Sequence, residues 1–268
     1  MAKLFVLSWK ISKFAQKFGS VKRILTIIAC VCLCISVQAY TVVIDAGHGG
    51  KDAGALGAKS KEKNINLAVA LELGRLIERN CSGVKVIYTR KTDTFVELHE
   101  RANIANKAKA DLFISIHANS TAAGRKGTTV RGTETYTLGM HRAAENLEVA
   151  KRENTVITLE AGYQQKYEGF DPKSSESYII FELMQDQNMA ASVSLAKMIQ
   201  KQFSTTAKRV DRGVHQAGLL VLSQTSMPAV LVELGYINNA AEERYMTSAS
   251  GVSALANSIY KAFVEYKK

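Results

Sequence analysis

Thr41-Val42-Val43-Ile44-Asp45-Ala46-Gly47-His48-Gly49-Gly50 is the stretch on which the fold turns. Four β-branched residues in succession read as a buried strand, and the run stops at a glycine-rich loop that continues to Gly57. Beyond it, Ile65, Ala68, Val69, Leu71, Leu73, Leu76 and Ile77 recur at helical spacing between Asn64 and Asn80, with Glu72, Arg75 and Glu78 on the other side. Val84 to Tyr88 is a second strand, Val96 to Lys109 a second helix, and Leu112 to Ile116 a third strand that delivers His117. Strand and helix in alternation predict a parallel sheet with helices on its faces, and in such sheets reactive groups collect at the carboxyl ends of the strands. His48 and His117 each follow a strand.

Further on, Gly132 to Leu138 and Leu219 to Leu222 read as strands, and Ala229-Val230-Leu231-Val232 as a strand running into Glu233. Val252, Leu255, Ile259, Phe263 and Tyr266 mark one face of a closing helix from Gly251 to Tyr266. Residues 141–206 interrupt the alternation with a helical segment from His141 to Glu153, an irregular Gly162 to Ser177, and a long helix from about Tyr178 to Phe203. Such a long insertion reads as a lid or as surface decoration. The expected fold is therefore α/β, a single domain with a mostly parallel twisted sheet flanked by helices and a helical insertion near the active-site crevice.

A chain of 268 residues, 47% hydrophobic and 22% charged, suits one globular domain. With only Pro172 and Pro228, and no Gly/Ser tract, it shows no linker. Lys3, Lys10, Lys13, Lys17, Lys22 and Arg23, with no acid among them, precede an apolar run from Ile24 to Val37. This reads as a secretory signal over residues 1–39 with cleavage after Ala39, leaving no membrane span. Lipidation at Cys30 and an uncleaved anchor are the alternatives. Cleavage would remove six of 35 basic residues and none of 24 acids, so the formal charge falls from +11 to +5. The remaining basic residues are scattered and carry no nucleic-acid motif. Cys30, Cys32 and Cys34 lie in the signal, so Cys81 is alone afterwards and reads as a structural thiol.

A catalytic zinc takes three His, Glu, Asp or Cys ligands and keeps one position open for water. His48 and His117 at strand ends, with Glu62 brought back by the glycine loop, can supply that set. Taken singly, each has a plainer reading, as a loop histidine or as an acid at a helix start. The loop lacks the Walker Lys-Ser/Thr and the dinucleotide glycine pattern, which leaves phosphate binding a minor alternative.

Several motifs run in order along the chain: Val43-Ile44-Asp45-Ala46-Gly47-His48-Gly49-Gly50-Lys51-Asp52-Ala53-Gly54-Ala55, Lys61-Glu62-Lys63, Thr89-Arg90, Leu98-His99-Glu100-Arg101-Ala102-Asn103, Phe113-Ile114-Ser115-Ile116-His117-Ala118-Asn119 and Val230-Leu231-Val232-Glu233-Leu234-Gly235-Tyr236-Ile237-Asn238-Asn239. Together they closely resemble the zinc-dependent N-acetylmuramoyl-L-alanine amidases of type 3, from residue 41 to the end. The resemblance implies one Zn2+ held by His48, Glu62 and His117, and Glu233 as the catalytic base and then acid. The reaction implied is hydrolysis, by zinc-activated water, of the amide between muramic acid and L-alanine in peptidoglycan, in wall remodelling or daughter-cell separation. Asn119 is a candidate contact to substrate or ligand. Arg101 is expected to pair with an acid of the scaffold. His99, His141 and His215 have no motif support as ligands, though His215 is a candidate substrate contact.

Arg152-Glu153-Asn154 is similar to a piece of the helical insertion that closes the zinc cleft in cell-separation members until an activator protein displaces it. By that resemblance Glu145, Glu148, Glu153 or Glu160 is the expected plug at the metal. The signal together with the insertion's resemblance points to the periplasm, and the chain is expected to act as a monomer. The competing readings are a zinc peptidase of related architecture, a catalytically silent wall-binding protein and, more weakly, a solute-binding protein. The intact ligand set weighs against the second of these, and the lack of an internal repeat against the third.

Overall fold

Six strands build one sheet: β1 (Tyr40–Ala46), β2 (Val84–Tyr88), β3 (Leu112–Asn119), β4 (Thr133–Leu138), β5 (Asp211–Ala217) and β6 (Ala229–Tyr236). Their order across the sheet is β2-β1-β3-β6-β4-β5. β1 runs parallel to β2 and β3, and β3 parallel to β6. β4 is antiparallel to β6 and parallel to β5, so the sheet is mostly parallel with a reversed pair at one edge. The computed structural model describes residues 39–122, 127–140, 143–183 and 187–268. The expected leader up to residue 38 and His141 lie outside them. Among the described residues no helix is long and apolar enough to cross a membrane.

The helices are α1 (Glu62–Asn80), α2 (Leu98–Lys107), α3 (Ala144–Asn154), α4 (Tyr163–Lys166), α5 (Ile180–Leu183), α6 (Met189–Thr205), α7 (Leu220–Ser223), α8 (Ala240–Thr247) and α9 (Ala249–Tyr266). Strand periodicity divides the core between the two faces of the sheet. Val42, Ile44, Ile114, Ile116, Val230 and Val232 point to one face, where Leu73 of α1, Ile199 and Phe203 of α6 and Ile259 and Phe263 of α9 cover them. Val43, Phe113 and Leu231 point to the other, against Leu98 and Ala105 of α2, Val149 and Ala150 of α3, and Tyr178 and Phe181. The polar residues Asp45, Ser115, His117 and Glu233 share this second face by the same alternation.

Three expectations are corrected. Leu219 to Leu222 is not a strand: Leu220–Ser223 is one helical turn, and the strand precedes it at Asp211–Ala217. A short apolar run fits either state, and all four residues are buried here because the turn packs under α2 and the sheet. The long helix from Tyr178 is instead a 3-10 turn (Glu176–Ile179), the short α5 and a separate α6. Of the segment 141–206, α6 belongs to the scaffold. Leu195, Ile199 and Phe203 are wholly buried, each contributing about 1.5–3 kcal/mol, and Gln200 bonds Thr133 and Thr135 of β4. The part laid over the second face is α3, the 3-10 turn Thr155–Leu159 and the chain on to α5, hereafter the strap.

Candidate metal centre

β3 and β6 both run past the point expected from the sequence, so His117 and Glu233 lie within strands and not after them, paired directly in register. They therefore sit side by side on the face that the strap covers. His48 lies two residues beyond β1 in a left-handed conformation, φ 60°, which costs a non-glycine residue about 1–3 kcal/mol. Arginines hold it there. Arg101 donates to the carbonyls of Ala46 and His48 and to Asp45 Oδ1 at 2.7–2.9 Å, and Arg90 donates to the carbonyls of Ala46, Gly47 and Lys63 at 2.8 Å. Arg101 thus pairs with a scaffold acid: Asp45, which also accepts from Thr89 and Ser115.

Glu62 is the first residue of α1, and the glycine loop folds it under His48. Its Oε2 accepts from the Ala55 amide at 2.7 Å, and its Oε1 accepts from the Ala118 amide at 3.0 Å and Asn66 Nδ2 at 3.2 Å. Gly54, φ +65°, makes the approach possible, since a Cβ there would lie 2.6 Å from Glu62 Oε2. Gly47 does the same for His117, whose Nε2 would meet a Cβ at 2.3 Å.

The fourth member comes from the strap. Glu153 Oε2 lies 2.8 Å from His117 Nδ1 and 3.2 Å from His48 Nε2, while Glu62 Oε1 lies 3.2 Å and 3.1 Å from the same two nitrogens. All four residues are buried. Glu145 and Glu148 face solvent, and Glu160 lies elsewhere, at the start of α2. Among the four acids weighed as a plug, the structure brings Glu153 to the histidines.

The donor set fits a divalent ion. His48 Nε2 and Glu153 Oε2 are shut away from solvent and make no aligned hydrogen bond, although each has a neighbour near 3 Å. Such atoms converge on a common point. Separations of 2.8–3.2 Å are close to the edge of a tetrahedron around zinc, roughly 3.3 Å for ligand bonds of about 2.0–2.1 Å. His48 Nδ1 donates to Asp52 Oδ2 at 2.7 Å, which turns Nε2 toward the cluster as an outer carboxylate does for a metal-bound histidine. The charges agree. Burial disfavours protonation of both imidazoles, yet Glu62 raises His48 well above its usual range and Glu153 raises His117 to about 9. Burial also pushes the two carboxyls up, but the imidazoles facing them, with Arg152 beside Glu153, hold both well below theirs. The cluster favours positive charge at its centre, which a divalent cation supplies.

Glu233 has the opposite setting. Burial, with Glu153 and Glu62 nearby, lifts its carboxyl well above the usual range against the pull of Arg152. Arg152 Nη2 donates to Oε1 at 3.2 Å, and Oε2 is buried without a partner. Asn119 gives Nδ2 to Glu134 Oε2 at 2.9 Å and takes the Ser120 amide on Oδ1. Both of its polar ends are thus engaged beside the cluster. His215 bonds the Arg212 carbonyl at 3.0 Å and, with Glu134, Tyr136 and Arg152, lines a neighbouring cavity of about 660 Å3. Asp52 is a site residue to which the sequence motifs assign no role; a carboxylate four residues from a candidate ligand histidine is the signal that marks it.

Comparison with known proteins identifies the family. The chain is 35% identical to the N-acetylmuramoyl-L-alanine amidase AmiA of Escherichia coli over 228 residues, 84% of this chain and 75% of that one. An N-acetylmuramoyl-L-alanine amidase from Clostridium difficile 630 superposes with TM-score 0.64 at 26% identity, covering 86% of this chain and 97% of that one. The CwlD amidase of Clostridioides difficile, solved in complex with the GerS lipoprotein, gives 0.60 at 25% identity over 85% and 98%. The family model described as N-acetylmuramoyl-L-alanine amidase matches residues 42–265, from the first buried strand to the end of α9. A match of that extent takes in His48, Glu62, His117 and Glu233 together, and the chain belongs to the N-acetylmuramoyl-L-alanine amidase family.

Proposed function

We propose that the chain hydrolyses the amide joining the lactyl group of N-acetylmuramic acid to L-alanine in peptidoglycan, with His48, Glu62 and His117 holding one zinc ion and Glu233 moving the proton. The observation that carries this reading is the pair His117 and Glu233, in register on one face, with Glu233 Oε2 buried and free of protein partners. Zinc, when bound, polarises a carbonyl oxygen and acidifies water. Glu233 Oε2 takes the proton of the attacking water and returns it to the alanine nitrogen as the C–N bond breaks, the carboxyl serving first as base and then as acid. Burial raises its affinity for a proton, the direction that suits a group which must take one and return it. Asp52 keeps the ring of His48 oriented, and Arg90 and Arg101 hold the loop that carries it.

The strap closes this site. Arg152 donates to the Ser120 carbonyl at 2.9 Å and to Glu233, Glu153 takes a position between the histidines, and Asn154 is bonded through both ends of its amide, to the Gly218 carbonyl at 2.7 Å and the Leu220 amide at 2.9 Å. Three successive residues thus occupy the base, the metal ligands and the scaffold. The resting chain is autoinhibited, and a partner that lifts α3 frees the cleft. The basic and apolar leader over residues 1–39 directs the chain to the periplasm, where peptidoglycan lies.

The test is to incubate zinc-loaded chain and its Glu233→Gln variant with purified peptidoglycan and sequence the new amino termini. Peptides beginning with L-alanine, released slowly by the first because the strap is mostly closed and not at all by the second, are expected. New termini at any other residue would overturn the amidase reading in favour of a peptidase.

A further inference from the structure

At the far side of the strap, Glu160 follows the turn Thr155–Leu159, and its side chain is fully enclosed. Its Oε1 accepts from the amide of Leu98, the first residue of α2, at 2.8 Å, and the Tyr167 hydroxyl donates to Oε2 at 3.0 Å. Facing it is His99. The Nδ1 atom of His99 lies 3.7 Å from Glu160 Oε2 and 3.5 Å from Glu97 Oε2, is sealed from solvent, and has no hydrogen-bond partner. These separations are too long for N–H···O bonds. They are close to the spacing of ligands that share an ion, roughly 3.3 Å around zinc and wider around larger cations. Among the described residues, just two groups bring three or more His, Cys, Asp or Glu ligand atoms within 4.8 Å of one another: the centre at His48, and Glu97 with His99 and Glu160. Both leave an inward histidine nitrogen without a hydrogen bond.

We propose that Glu97, His99 and Glu160 form a second, weaker divalent-cation site that ties the strap to the head of α2. Lys166 Nζ, 2.7 Å from Glu97 Oε2, now supplies the balancing charge. It is partly exposed and can swing into solvent, leaving one divalent ion to neutralise the two carboxylates. Zinc is the probe of choice, because one imidazole and two carboxylates are ligands it accepts. The ion would join residue 160 of the strap to residues 97 and 99 of the scaffold, so excess zinc would fasten the strap over the first centre. That consequence rests on the autoinhibition reading; the binding does not.

Equilibrium dialysis of the full chain against increasing free zinc, with metal counted by mass spectrometry, tests the site. Two ions per chain are expected. His99→Ala and Glu97→Gln should each weaken the second ion by about 100-fold or more while keeping the first, since even an outer-shell partner commonly contributes 10–100-fold to metal affinity. Lys166→Ala should tighten it several-fold, a direction that general disturbance of the strap would not give. His48→Ala should lose the first ion and keep the second, which separates failure of this site from failure of the catalytic one. A single ion in the wild type at every zinc concentration, or a second ion retained by both His99→Ala and Glu97→Gln, would overturn the proposal.

Discussion

Replacing Glu153 by alanine should raise turnover and lower zinc affinity in the same molecule. The carboxylate faces both histidines, at 2.8 Å and 3.2 Å, inside a buried cluster. An interaction of a charged group in such a setting contributes about 1.5–3 kcal/mol. If that is what Glu153 adds to closure, removing it multiplies the opening constant of the strap by about ten- to a hundredfold. Turnover by a mostly closed enzyme rises by the same factor until the open form predominates. The other anchors survive, since Asn154 keeps its bonds to Gly218 and Leu220 and Lys51 its bond to the Leu159 carbonyl, so the strap loosens without unfolding. The assay is the rate at which peptides beginning with L-alanine leave purified peptidoglycan, run beside zinc titration of the same preparations. A variant that folds and binds zinc more weakly, yet turns over no faster than wild type, would refute the view that Glu153 restrains the enzyme.

Glu233→Gln should abolish turnover while the chain still binds zinc with near wild-type affinity, as metal analysis after dialysis would show, because the residue is outside the proposed ligand set. Gly54→Ala should cost zinc binding with little change in fold: its Cβ would sit 2.6 Å from Glu62 Oε2 at a φ of +65°, and circular dichroism beside a zinc titration separates the two effects. Asp45→Asn should lower stability in urea by about 3–5 kcal/mol at neutral pH, the usual cost of leaving one partner of a buried ion pair alone, here Arg101. Burial raises the Asp45 carboxyl, but Arg101, Ser115 and Thr89 bring it below its usual value. Its contribution is therefore fully present above the unfolded value of about 3.9 and lost as pH falls through the lower folded one. The gap between wild type and variant should close in acid and stay constant above about pH 5.

What was legible in the sequence followed from periodicity, and what was not followed from contacts between distant segments. β1 and β2 stood out as short β-branched runs and α1 and α9 by an apolar period of 3.6, because both signals are local information. β5 did not. Asp211–Ala217 is an edge strand whose charged and half-exposed residues are held by pairing with β4, so its pattern carries no apolar alternation. The scaffold role of α6 was hidden for a related reason, since a helix continuous in composition with an insertion shows only in three dimensions which layer it joins. The choice of Glu153 among four acids was within reach. Val149 and Ala150 fix the inward face of α3, and residues three and four positions on share that face, whereas Glu148 falls opposite.

The register of β3 and β6 shows why fold and site cannot be separated here. Ile116 and Val232 pair on one face of the sheet and are wholly buried beneath α1, α6 and α9, while their neighbours His117 and Glu233 pair on the other. A slip of one residue in either strand would turn an isoleucine or valine toward the proposed metal centre and drive a histidine or glutamate into an apolar layer. Burying an unpaired ionised carboxylate there would cost several kcal/mol, a large share of the about 5–15 kcal/mol that stabilises an ordinary domain. The apolar residues on the far side of the sheet therefore hold Glu233, the proposed proton-transfer group, beside His117, the proposed ligand.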